Sequence, residues 1–179
     1  MVDASTVAVA KAVEQRIRGE LDSESFEHEF TLERGYAAWD LQLNQTDDLE
    51  LHEVDKLRVD VVAHATQQTV DHSARSVVRR RLPIDIAVRR KFGSDGQDQD
   101  SGEIAIERID ELMLLVEQLE DLFIASRLEG FPAAVWDGEG GGTTIVAAPI
   151  REHLRGLRQF TAIIRVVFNV TKKLQINTA

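Results

Sequence analysis

The sequence predicts an α+β fold: a mixed or antiparallel sheet of about four to six strands, packed by an N-terminal helix and one long central helix. Three observations predict it. Apolar residues recur at helical spacing near the N-terminus and again across 106–128. Most of the remaining apolar residues alternate with polar ones at period two. Strand-like and helix-like segments do not alternate in βαβ fashion, which disfavours a parallel α/β sheet.

The first helix spans about 5–21. Val9, Val13, Ile17 and Leu21 repeat every fourth residue and so share one face. Ser5 is a candidate N-cap, because its hydroxyl can accept from an orphan backbone N–H. The period then drops to two. Phe26, His28, Phe30 and Leu32 alternate with Glu27, Glu29, Thr31 and Glu33, the pattern of a half-buried strand. Gly35 ends it. Tyr36 and Trp39 follow, and then an acidic polar stretch over 44–55 that reads as a loop.

Leu57, Val59 and Val61, alternating with Arg58 and Asp60, give a second strand. A third is expected over about 73–82 and a fourth over 84–92, separated by Pro83, which cannot donate to a central ladder. A polar loop covers 93–102. The second helix follows, roughly 25 residues by its pattern and therefore nearly 40 Å long. Ile106, Ile109, Met113, Val116 and Leu119, with Leu112, Leu115, Leu122 and Phe123, form its broad apolar face, Asp100 or Ser101 is its candidate cap, Glu103 suits the dipole of its first turn, and Gly130 and Pro132 stop it. A short strand near 133–136 leads to the glycine run 137–142. Segment 143–148 is β-rich, and 160–174 is a long closing strand.

With 179 residues the chain is long enough to bury about 70% of its extended surface, and it is read as one domain over 1–179 with flexible loops near 44–55, 93–102 and 137–142. Its 11 Gly and 3 Pro are too few for a largely disordered chain. The net charge of −10 makes specific nucleic-acid binding a poor expectation, and disfavours an anionic membrane surface too. With no cysteine, disulfides, thiolate metal sites and thiol nucleophiles are excluded. Residues 1–12 lack a basic start and apolar core, so no signal peptide is expected. No apolar run approaches the ~20 residues of a membrane span.

Catalytic patterns are not found. The five histidines form no HExxH pair and no triplet. His52 sits among Glu50, Glu53 and Asp55, but the spacing fits no calcium loop, and a solvated acidic loop is the plainer reading. The glycine run lacks the Lys of a phosphate-binding loop and carries Glu139, which would repel phosphate. No GxSxG motif is present. The expectation is a non-enzyme with no cofactor and no metal. Basic residues come in runs, Arg79-Arg80-Arg81 and Arg89-Arg90-Lys91, with Arg151, Arg155, Arg158 and Lys172-Lys173 further on. In a strand, neighbouring residues point to opposite faces, so no run forms a single patch. They are read as solvated strand ends, or as partners for acidic loops of a second copy.

Taken in order, the elements resemble the tail completion or tail terminator proteins of long-tailed bacteriophages. The residues that carry the resemblance are the helix over 7–21, Phe30-Thr31-Leu32-Glu33-Arg34-Gly35-Tyr36, the acidic stretch, and Leu57-Arg58-Val59-Asp60-Val61-Val62. After these come the Arg-bearing segment 75–81, Ile84-Asp85-Ile86-Ala87-Val88-Arg89-Arg90-Lys91, the helix over 107–128 and the closing strand over 160–170. The likeness covers nearly the whole chain and rests on element order, not on an invariant motif.

The resemblance implies a non-enzymatic structural protein of the virion, made in the bacterial host cytoplasm, that assembles as a ring, often a hexamer. The ring would terminate the tail tube and join it to the head. Its partners would be further copies of itself, the tail tube protein and the neck proteins, with DNA passing through and no membrane involved. Another neck or tail component, such as an adaptor or a tube subunit, or a non-viral α+β binding domain, is the alternative reading. Head-to-tail assembly suits segregated charge. The expected subunit contacts are therefore Arg79, Arg80, Arg89 and Arg90 against Asp47, Asp48 and Glu50 of a neighbour.

Overall fold

The computed structural model of the chain describes residues 5–35, 56–63, 69–74, 77–93, 104–139 and 142–173. The acidic stretch 44–55, most of the loop 93–102, and the candidate caps Asp100 and Ser101 lie outside them. In chain order the elements are α1 (Ser5–Asp22), β1 (Thr31–Gly35), β2 (Leu57–Ala63), β3 (Thr69–Ala74), β4 (Val77–Lys91), α2 (Ile106–Asp121), β5 (Ala134–Trp136), β6 (Thr143–Ala147), α3 (Arg151–Gly156) and β7 (Gln159–Lys173). The fold is α+β, with one mixed sheet and an N-terminal helix.

Two long strands form the spine. β4 and β7 pair antiparallel in unbroken register from Val77↔Lys173 to Lys91↔Gln159. At about 3.3 Å per residue each spans roughly 50 Å. Each has short strands in series along its outer edge. β2 and then β3 line β4, while β6 and then β5 line β7. β1 adds to β2 in parallel, and the order across the seven-stranded sheet is β1-β2-β4-β7-β5. β3 is a separate short strand on the edge of β4, antiparallel to its Val77 end.

Strand parity divides the sheet into two faces. On one, Val59 and Val61 of β2, Leu82, Ile84, Ile86 and Val88 of β4, and Phe160, Ile164, Val166 and Phe168 of β7 join the main core. α1 packs there on β1 and β2, and α2 on β6 and β7. α1 contributes Val9, Val13 and Ile17, and α2 contributes Leu112, Leu115, Val116 and Leu119, all at most 1% exposed. The helical periodicity therefore identifies the buried faces, with one correction: Ile106, expected on the apolar face of α2, stands at its first position on the outward side and is 70% exposed. On the opposite sheet face, Val62, Ala87, Ile163 and Val167 are buried as well, alongside Asp60, Asp85, Arg89, Thr161 and Asn169.

Several boundaries differ from the sequence reading, each for a physical reason. Pro83 does not separate two strands but lies inside β4. Pairing with β3 ends at Arg81 and pairing with β2 begins at Ile84, so Pro83 sits in a gap on that edge of the ladder. A residue without an N–H is tolerated there.

β1 begins at Thr31, not at Phe26. β2 starts at Leu57, opposite the residue before Thr31 in the parallel register, so an earlier start would have no partner strand. Phe26 and Phe30 instead meet each other in a bent segment, ring centroids 5.3 Å apart.

α2 ends at Asp121, well before Gly130. Leu128 follows Asp110 by 18 residues, about five turns of 3.6. A continuous helix would therefore aim Leu128 outward with the exposed Asp110. Breaking the helix and turning through Ala125, at φ 52°, lets Leu128 reach the core with 0% exposure. No acidic side chain caps the start, where Ala105 is the N-cap and Glu107 the first-turn acid. The short helix α3 has no counterpart in the sequence reading.

The glycine run is tied at both ends to one residue of β7. Asp137 N–H donates to the Val167 carbonyl at 2.9 Å, Val167 N–H donates to the Gly142 carbonyl at 2.9 Å, and Gly142 N–H donates to the Asp137 carbonyl at 2.8 Å. Asp137 and Gly142 together thus occupy the ladder position between β5 and β6.

Candidate functional site

The sheet face away from α1 and α2 carries the densest chemistry among the described residues. Cross-strand register sets its layout. Arg58 of β2 stands opposite Arg89 of β4, and Glu33 of β1 opposite Asp60 of β2. Like charges directly opposite destabilise a sheet unless neighbours neutralise them. Here the diagonals do so. Arg58 Nε donates to Asp60 Oδ1 at 2.8 Å and Arg58 Nη2 to Glu33 Oε2 at 2.7 Å. Arg89 Nη2 and Nε donate to Asp60 Oδ2 at 2.7 and 3.1 Å. Two carboxylates and two guanidiniums form one chain across three strands with no net charge.

One step along the sheet, Asp85 of β4 stands opposite Arg165 of β7. Arg165 Nε and Nη2 donate to the two Asp85 oxygens at 2.8 and 2.9 Å, a bidentate fork. The hydrogen bond to Asp85 raises the Arg165 guanidinium above its ordinary range, against the opposing pull of burial. Asp60 and Asp85 are 2% and 1% exposed. Burying a carboxylate is tolerable only with partners of this quality.

Two further polar groups flank this face. Arg81 Nε lies 2.9 Å from Asp137 Oδ2, tying β4 to the start of the glycine run. Next to Asp137, the Trp136 indole N–H donates to Thr143 Oγ1 at 3.0 Å. Near the Gln159 end of β7, His153 Nδ1 and Thr161 Oγ1 are 2.8 Å apart, and Gln159 Nε2 donates to the same hydroxyl at 2.9 Å. The His–Thr spacing is that of a nucleophile and its base, but Thr161 is 1% exposed and admits no substrate. The triad serves to seat α3 on β7, where Ile150 N–H also donates to the Thr161 carbonyl at 2.9 Å.

Among the described residues, the four arginines expected at the subunit contact do not form one patch. Arg89 is buried and held by Asp60 of its own chain, so it cannot face the acidic loop of a neighbour. Arg79 is exposed on the same sheet face, ten residues and therefore about 33 Å along the same strand. Arg80 and Arg90 are half-buried on the helix side, Arg90 with its guanidinium 5.7 Å from the Phe92 ring centroid. Asp47, Asp48 and Glu50 lie outside the described residues, as does His52. His28 is half-buried in the bent segment before β1.

Sequence reasoning missed Asp60, Asp85 and Arg165 as a set, because their partners are remote in the chain. The signal that was available is a charged residue at alternate positions of three strands that otherwise read as core.

Among the described residues no group of three or more His, Asp or Glu is placed to hold a metal ion, and no helix is long and apolar enough to cross a membrane. Comparison with protein-family models and with curated proteins finds no match.

Proposed function

We propose that the protein is a structural component of a bacteriophage tail or neck, a subunit of a ring that terminates the tail tube and joins it to the head. The observation that carries this reading is the succession α1, β1, β2, β4, α2, β7, the same order of elements on which the resemblance to tail terminator proteins rests, packed on a single sheet. The paired face of that sheet supports it. Arg58, Arg81, Arg89 and Arg165 are engaged by carboxylates of their own chain. Such groups add little to the phosphate neutralisation that makes a protein grip DNA, which suits a ring through which DNA slides. The cross-strand fork and chain also stiffen the sheet, as a load-transmitting subunit requires.

The test is electron microscopy of particles produced without the protein. Overlong tails, or tails not joined to heads, are expected. Detached heads beside normal tails would indicate an adaptor instead, and normal particles would overturn both readings.

A further inference from the structure

We propose that the outward face of α2 is the docking surface for α3 of a second copy of this chain, so that the subunits join head to tail. The proposal rests on the ring reading and specifies the contact that builds the ring.

The outward face of α2 is unusual for a solvated helix. Ile106, Asp110, Leu114, Glu117 and Asp121 share one stripe, opposite the buried Leu112, Leu115, Val116 and Leu119. Ile106 is 70% exposed and Leu114 is 53% exposed. A helix face in water normally carries its large apolar side chains inward. The charge on the stripe has one sign. Asp110, Glu117 and Asp121 make no ion pair among the described residues, and the helix's single cation, Arg108, sits off the stripe against Glu111 at 3.3 Å.

The complement lies elsewhere on the same protomer. On α3, Arg151 and Arg155 are four residues apart, therefore on one face, and both are exposed. His153 and Leu154 turn inward, the first onto Thr161 and the second onto the core. Just before α3, Val146 of β6 is 51% exposed. One surface is thus acidic with apolar points, and the other carries Arg151 and Arg155 with the exposed Glu152 between them, which leaves it net basic. α2 packs on the core face of the sheet, whereas α3 is seated through Thr161 of the opposite face, and no ion pair joins them within one chain among the described residues. Two different, complementary surfaces on one protomer produce a heterologous contact, which closes into a ring when the rotation allows. The apolar side chains supply affinity, and the charges supply orientation and register.

The test is a charge swap on the full chain, read by sedimentation equilibrium and chemical cross-linking. The unmodified protein should associate, more weakly as salt is raised. The pair Arg151→Glu with Arg155→Glu makes both surfaces acidic. The pair Asp110→Lys with Glu117→Lys makes both basic. Each double variant alone should associate roughly tenfold more weakly or worse, while keeping the melting midpoint of the unmodified monomer. A one-to-one mixture of the two should associate again, because every contact in an alternating assembly then pairs opposite charges. Full association of either variant alone overturns the proposal, as does a mixture of folded variants that stays monomeric. An unmodified chain that stays monomeric to its solubility limit overturns it too. None of these results depends on particle morphology, so normal particles without the protein would reject the ring reading independently.

Discussion

Arg89 on β4 donates two hydrogen bonds to a single oxygen of Asp60 on β2, at 2.7 and 3.1 Å, while Arg58 takes the other Asp60 oxygen. The carboxylate is thereby saturated by two guanidiniums that the register sets directly opposite each other. Asp60 is the member without which the arrangement is repulsive. Arg58 retains Glu33 if Asp60 is lost, whereas Arg89 loses two hydrogen bonds at once.

This asymmetry predicts an order of costs. Asp60→Ala should be the most destabilising, because it removes three hydrogen bonds at once from two guanidiniums set opposite each other, with about 3–5 kcal/mol expected for a broken buried pair. Arg89→Ala should follow, since Asp60 keeps Arg58. Arg58→Ala should cost least, as its side chain is 24% exposed. Urea denaturation of the three variants gives the ranking. Equal costs, or Arg58→Ala as the worst, would contradict the assignment of Asp60 as the hub.

The fork between Arg165 and Asp85 makes a prediction about residue type and pH. Arg165→Lys keeps the charge but cannot make two parallel bonds, so a loss of about 1–3 kcal/mol is expected at neutral pH. The sign with pH follows from the raised value of Arg165. Its contribution is complete below the ordinary guanidinium range and fades only as pH rises through the still higher folded value. A lysine there would lose its proton far earlier, from a reference near ~10.4. Stability of Arg165→Lys measured against pH should therefore show an additional alkaline loss that the unmodified protein lacks. Parallel curves for the two proteins would show that the pair's charge contributes nothing.

The α2 face is testable by contrast between adjacent residues. Val116 is 0% exposed in the core. Val116→Asp should cost several kcal/mol, comparable with the total stability of a domain. Glu117→Gln, one residue on and exposed, should change the monomer by no more than about 0.5 kcal/mol. A cooperatively folded Val116→Asp protein with an unchanged midpoint would place the helix the wrong way round.

That α2 face was legible in the sequence because a period of 3.6 is a local signal. Leu112, Val116 and Leu119 announce a shared side within two turns. The same holds for the parity of the strands, where Val59 and Val61 alternate with Arg58 and Asp60. What parity cannot convey is that both sides are buried. Asp60 and Arg89 lie 29 residues apart, Asp85 and Arg165 lie 80 apart, and nothing local distinguishes such charges from solvated ones. Arg89 was misplaced on an interface for this reason. The end of α2 was misjudged for a related one, since Leu128 continues the apolar texture of the segment but fits the core only after the helix breaks. α3 is too short to leave a periodic trace.

Two glycines should respond to alanine with opposite signs, and the difference is set by what a β-carbon would meet. Gly142 has φ +54°, and an added Cβ would fall 2.7 Å from Trp136 Cζ2. The conformation alone costs a side chain of order 1–3 kcal/mol. The ring cannot withdraw freely either, because its N–H is bonded to Thr143 and Gly138 closes on its other edge, with a built Cβ only 2.5 Å from Cζ3. Gly19 lies within α1, is exposed, and has nothing within 4 Å of a built Cβ. Alanine there removes backbone freedom from the unfolded chain without strain and should gain about 0.5–1 kcal/mol. Thermal melts should therefore move down for Gly142→Ala and up for Gly19→Ala. A change in Trp136 emission, read in a Trp39→Phe background, should accompany only the first. If Gly142→Ala melts with the unmodified protein and leaves the emission unchanged, the indole is not held between the ends of the glycine run, and the closure of that run on Val167 must rest on its backbone bonds alone.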